Sequence, residues 1–208
     1  MRFVVLAALA ISAGATVLDR IAVTVGRQVI AESDVLRDLR VAAFIDRKPV
    51  DLSAAARRKA ADRLVDQLLI LQEAAFSRVP LPSKADAAKL IDPVKEQYGA
   101  DYAPALRESR ITEDDVIDHL LAGLRAMRYT ELRFRPEVQF SEDDLRDFYF
   151  TLAQEWKKKG AAEVPTFDAI RDQVEKLLVE QRTTQALDRW LASQRSETPI
   201  VYREQVFQ

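Results

Sequence analysis

The chain has no cysteine and a single histidine, His119. The first absence excludes a disulfide framework and thiol chemistry. The two together leave no Cys/His spacing that would hold a metal ion. Glycine is scarce, five in 208 residues, and none sits in a phosphate-cradling run. No P-loop, dinucleotide fingerprint or G-x-S-x-G elbow is present. There is no excess of basic charge either, since 31 Lys and Arg face 33 Asp and Glu for a net charge of −2. A nucleic-acid partner wants a basic surplus and is not expected. Internal repeats and low-complexity tracts are also missing. What is abundant is Ala, Leu, Arg, Glu and Asp, a composition that favours helix.

Arg2 precedes the apolar run Phe3-Val4-Val5-Leu6-Ala7-Ala8-Leu9-Ala10-Ile11, and small residues follow to Ala15. This is the layout of a secretory signal peptide, with cleavage expected after Ala15. The apolar run is too short for a permanent membrane anchor. No cysteine follows that a lipid would modify.

The stretch from Leu18 to Leu36 organises the rest. Ile21, Val23 and Val25 alternate with Ala22 and Thr24, the period of a half-buried strand. Gly26-Arg27 suits a type II′ hairpin turn, and Val29-Ile30 supplies the return strand. Ser33 is then placed to cap a helix. A lone hairpin is marginal in water, so a third strand is expected, and Pro199-Ile200-Val201-Tyr202-Arg203 is the best candidate.

Helical spacing predicts a first helix over 33–44 with Val35, Leu36 and Leu39 inward, then a long one over 53–78. On the second, Leu64, Leu68, Leu71 and Ala75 share a face that Val65, Leu69 and Phe76 broaden. Pro80 and Pro82 break the chain before an amphipathic segment over 83–98, where Pro93 marks either a kink or a new first turn. A short helix over 102–108 follows. Thr112 with Asp115, and Ser141 with Asp144, mark capped starts of helices over 112–134 and 141–159. A final helix is expected over 166–193.

Several of these residues carry a family resemblance. Asp19-Arg20-Ile21, Val25-Gly26, Val29-Ile30 and Ser33-Asp34-Val35 resemble the opening of SurA-type periplasmic chaperones. Leu69-Ile70-Leu71-Gln72-Glu73-Ala74 fits the family's long helix. The run Phe167-Asp168, Ile170, Val174, Leu177-Leu178, Glu180, Leu187 and Trp190-Leu191, with a short strand after it, is similar to the family's C-terminal element. The resemblance implies a mainly α fold: a helical SurA-type chaperone core with a small N-terminal β-hairpin joined by a C-terminal strand. The expected organisation is a signal peptide (1–15), a hairpin and helical block (16–135), a linker helix (136–164) and a C-terminal helix and strand (165–208).

In that family, parvulin-type prolyl isomerase domains are inserted where this chain has only the interval from Arg135 to Pro165. Such a domain needs on the order of 90 residues, and its paired histidines have no counterpart beside His119. The resemblance therefore implies a periplasmic protein without the catalytic insert: an ATP-independent holdase, not an enzyme, with no cofactor. Its partners would be unfolded polypeptides, outer-membrane proteins foremost. The alternative is an adapter that binds one folded partner.

The paired carboxylates Asp114-Asp115 and Asp143-Asp144 fall in first helical turns, where capping and the helix dipole explain them. His119 reads as a surface or boundary residue. Consecutive Phe148, Tyr149 and Phe150 cannot all face one side of a helix, so at least one should point away from the local core. Trp156 lies about two turns beyond Phe148 on the same side. These four, with Met127 and Tyr129 and more weakly Phe44, are the candidate client-binding surface, against ordinary packing. Short proline-marked connections at 79–82 and 134–138 also raise the expectation of a homodimer that exchanges an element.

Overall fold

The computed structural model describes residues 19–160 and 163–208. The signal-peptide reading of residues 1–15 lies outside the described residues. Strands β1 (Ile21–Val25) and β2 (Gln28–Ala31) form the hairpin, and β3 (Ile200–Tyr202) pairs antiparallel with β1 on its other side, giving the order β2-β1-β3. Gly26 takes φ 57°, the left-handed value that the Gly-X turn requires of its first residue. Its N–H donates to the Pro199 carbonyl at 2.9 Å, so the turn is tied to the C-terminal strand as well.

The helices are α1 (Glu32–Ile45), α2 (Ala54–Phe76), α3 (Lys84–Ala88), α4 (Asp92–Tyr98), α5 (Tyr102–Ser109), α6 (Glu113–Arg133), α7 (Glu142–Lys158) and α8 (Phe167–Glu197). The fold is mainly α with a small sheet at one end. Thr112 and Ser141 cap α6 and α7, each in a box with the aspartate three residues on. Pro93 sits in the first turn of α4, where a missing N–H costs nothing. Ser33 does not cap α1. The cap position is Ala31, whose N–H donates to Asp34 at 3.0 Å, while the Ser33 hydroxyl and amide both donate to Asp19. The cause is that β2 runs into the helix without a loop, which moves the helix start earlier. Arg20 adds a two-pronged pair to Glu32 at 2.7 and 3.0 Å, fastening the strand to the helix it feeds.

Four packed clusters follow. The first joins Ala22, Val23 and Val25 of the sheet to Ala60, Ala61, Val65 and Leu69 of α2, and it takes in Val206 and Phe207 from the chain's far end. The second encloses Val41 and Phe44 of α1 among α3 to α6. The third centres on Tyr129, Phe134, Ile70 and Ala74, with Trp190 bridging to the first. The fourth joins Leu145 of α7 to Phe167, Val174 and Leu178. Thus α8 serves three of the clusters. Its first half pairs with α7, its second with α2, α6 and the sheet, and a break in helical geometry at Ile170 lies near its start.

The C-terminal strand is held by polar contacts too. Arg195 donates to Asp66 at 2.7 Å and to the Asp62 carbonyl at 2.9 Å, and the Tyr202 hydroxyl donates to the Asp62 carboxylate. Arg58 lies 3.6 Å above the Tyr202 ring. The segments 79–82 and 134–138, expected as hinges, contribute Val79, Leu81 and Phe134 to the third cluster.

Two predicted faces differ in part. On α1, Val35 is buried as expected and Leu39 packs partly buried against the first cluster, but the fully buried line continues through Asp38, Val41 and Phe44. On α2 the expected inner residue Phe76 is 86% exposed, because it is the helix's last residue and lies beyond the partners that cover Ala74.

Candidate functional site

The side chains that sequence reasoning grouped as a binding surface differ widely in exposure. Tyr129 is 0% exposed, packed edge-on to Phe134 (centroids 5.8 Å) and tilted against Trp190 (5.5 Å). It is core because α8 crosses that face of α6. Phe44, expected more weakly at the surface, is also buried and stacks on Tyr98 at 4.4 Å. Phe148 and Tyr149 are half-buried against the fourth cluster. The Tyr149 hydroxyl donates to the Pro165 carbonyl at 2.7 Å, and its ring meets Phe167. Trp156 is half-buried. Only Phe150 (60% exposed) and Met127 (58%) stand out from the surface, on α7 and α6 respectively.

The burial of Tyr129 has a consequence for stability. Its hydroxyl finds no hydrogen-bond partner among the described residues. Desolvation, with the Glu73 charge adding to it, pushes the phenol up to about 12. A phenol whose folded pKa is raised contributes stability that is present below its unfolded value near 10 and is lost as pH climbs from there toward 12. Tyr129→Phe is expected to gain about 1 kcal/mol at neutral pH by removing an unsatisfied group. It should also flatten the alkaline loss of stability. Urea unfolding at pH 7 and at pH 10.5–11.5, a range set by the ordinary tyrosine pKa of about 10, reads both.

A mostly apolar cleft lies elsewhere. It has a volume of 260 Å³ and lies between β2, α1, α2 and α6. Val29 and Ile30 of the hairpin, Val41 of α1, and Leu64, Leu68 and Leu71 of α2 make its apolar walls. Leu64, Leu68 and Leu71 share one face of α2, the wide stripe visible in sequence. Because α2 buries Ala60, Val65 and Leu69 under the sheet, that leucine face is only half-covered and opens toward α6.

One wall is polar and was not foreseen. Asp38 is 7% exposed and joins three helices: it accepts from Arg63 of α2 at 2.5 Å and from Nδ1 of His119 on α6 at 3.1 Å. Burial acts to raise its carboxyl, but the hydrogen bond from His119 and the charge and hydrogen bond of Arg63 outweigh that and hold it below the usual carboxylate range. His119, at 29% side-chain exposure, is the boundary residue that its helical position suggested. His119 also lines the cleft.

The cleft walls hold no serine, threonine or cysteine beside this Asp–His pair, so the pair has no side-chain nucleophile to activate. No group of three or more His, Cys, Asp or Glu side chains among the described residues is arranged to hold a metal ion. No helix among them is long and apolar enough to cross a membrane. What the arrangement offers is an open apolar slot with a charged rim, suited to taking up a side chain from another molecule.

No family model matches the chain, and no curated protein matches it.

Proposed function

We propose that this protein is a SurA-like, ATP-independent holdase of the periplasm, capturing extended segments of unfolded polypeptides, outer-membrane proteins among them. The observation that supports this is the half-open leucine face of α2, bounded by the hairpin, α1 and α6. A cleft of this size is below the ~300–1,000 Å³ of small-molecule pockets. It suits one bulky apolar side chain of a chain that otherwise stays in solvent. Capture is then weak per site and multivalent along a client. Apolar surface set among charged residues binds unfolded segments without the protein itself precipitating.

Light scattering of an unfolded outer-membrane protein, diluted with and without this protein, tests the reading. Suppressed aggregation at near-stoichiometric amounts without ATP is the expected result. No suppression at any ratio or salt concentration would favour an adapter that binds one folded partner. Val29→Lys introduces a charge at the mouth of the cleft, at a position 56% exposed. It is expected to reduce suppression severalfold. If Phe150→Ser has the larger effect, the binding surface lies on α7 instead. A homodimer belongs to the same proposal, and multi-angle scattering that finds only monomer at high concentration would remove it.

A further inference from the structure

We infer that the cleft selects segments in which a bulky apolar residue is flanked by lysine or arginine. The inference rests on the capture of unfolded segments proposed above and specifies their chemistry. The rim is short of cations. Arg37 is shared between two carboxylates, Asp34 at 3.2 Å and Asp115 at 3.3 Å. Lys84 is likewise shared between Asp118 at 3.0 Å and Asp114 at 3.4 Å. Of the Asp, Glu, Lys and Arg side chains that line the slot, Asp34, Asp38, Asp115 and Asp118 are acidic and Arg37 is basic, while Lys84 reaches Asp118 from outside the lining. Asp38, deeper in the wall, is already matched by Arg63 and His119.

Asp118 is the carboxylate at that edge with the most solvent access. Asp118 keeps more than half of its side chain in solvent, on the same helix as His119. An incoming ammonium or guanidinium adds positive charge where the lining carboxylates outnumber Arg37, with Asp118 the most exposed of them, while its apolar neighbour fills the slot over Leu64, Leu68 and Leu71. A glutamate in the same place meets like charge on both sides. The cation is thus read by charge and the apolar residue by shape, so the selection acts on composition rather than on a fixed sequence.

Short labelled peptides of equal length test this, each with a central Leu-Phe pair flanked by lysine, serine or glutamate, titrated into the purified protein at low salt. The lysine-flanked peptide is expected to bind about three- to tenfold more tightly than the glutamate-flanked one, with serine between them and the spread shrinking as salt is added. Asp34→Asn with Asp118→Asn is expected to bring the lysine-to-glutamate ratio toward one. Lys84→Gln, an exposed change outside the lining that frees Asp118 within it, is expected to widen it. Equal binding of all peptides overturns the charge selection and leaves holdase capture standing. A preference that persists in the double variant overturns the assignment to this rim. Failure of every peptide to bind overturns the selection and the capture reading together.

Discussion

Phe207→Ala is expected to cost about 3–5 kcal/mol, a fifth or more of the ~5–15 kcal/mol stability of an ordinary domain. Phe207 is buried in the cluster that seats the sheet on α2, and its ring packs against Tyr202 with centroids 6.1 Å apart. Its neighbour Val206 is also buried there, and the Val206 carbonyl accepts from Arg57 at 3.3 Å. The substitution opens a cavity in the cluster that holds Val23 and Val25, and β1 is not free to collapse into it because it is paired on both sides. Removal of residues 199–208 goes further. It deletes β3 and leaves the hairpin, marginal alone, without its third strand. Urea unfolding should place Phe207→Ala well below the parent midpoint, and the truncated chain should show no cooperative transition. A truncated chain that unfolds cooperatively would mean that the hairpin and α2 suffice without the C-terminus.

The second large effect lies at Asp38. Arg63→Met combined with His119→Leu is expected to cost about 3–5 kcal/mol, because it strands a buried carboxylate that had two partners. Adding Asp38→Leu should recover most of that loss, since the charge itself is then gone. The pH dependence separates the two states. In the parent the Asp38 carboxyl is held below its ordinary value, so its contribution is complete above about pH 4 and is lost as pH falls through the lowered folded value. In the double variant burial acts alone and raises the carboxyl, so the penalty is relieved on acidification instead. Denaturant unfolding at pH 7 and pH 4.5 (just above the ordinary aspartate pKa of about 3.9) should show the double variant regaining ground on the parent at the lower pH. If the double variant loses no stability at pH 7, Asp38 does not need these partners.

Much of the secondary structure was legible locally. The alternation of Val23, Thr24 and Val25, the glycine of the turn, and the caps at Thr112 and Ser141 each act within about one turn of chain, and the structure has them where the pattern put them. At the start of β1 a register shift between Ile21 and Val23 leaves Ile21 exposed and Ala22 buried instead. The pairing of Ile200–Tyr202 with β1 was legible for a different reason: a two-stranded hairpin needed a partner, and one short apolar strand remained. Ser33 failed as a cap because the rule assumes a loop before the helix, and here a strand runs straight in.

The binding surface was much less legible. Helical spacing identifies a stripe but not which neighbour covers which part of it. Phe44 and Tyr129 lie at positions that α4 and α8 happen to cover, whereas Phe76 lies one turn too far along α2 to be covered. Asp38 breaks the apolar pattern of α1 and so reads as solvent-facing. Its burial makes sense only once Arg63 and His119, from two other helices, converge on it.

By itself, then, the sequence determined the helices and their caps, the hairpin with its third strand, and the absence of any thiol or Cys/His metal chemistry, because composition and short-range periodicity act on adjacent turns. Only the tertiary structure decided where the cleft opens, which aromatic side chains meet solvent, and that one carboxylate links three helices. Those outcomes depend on how each helix is rotated and crossed against partners distant in the chain, and a helix carries no record of that rotation in its own spacing.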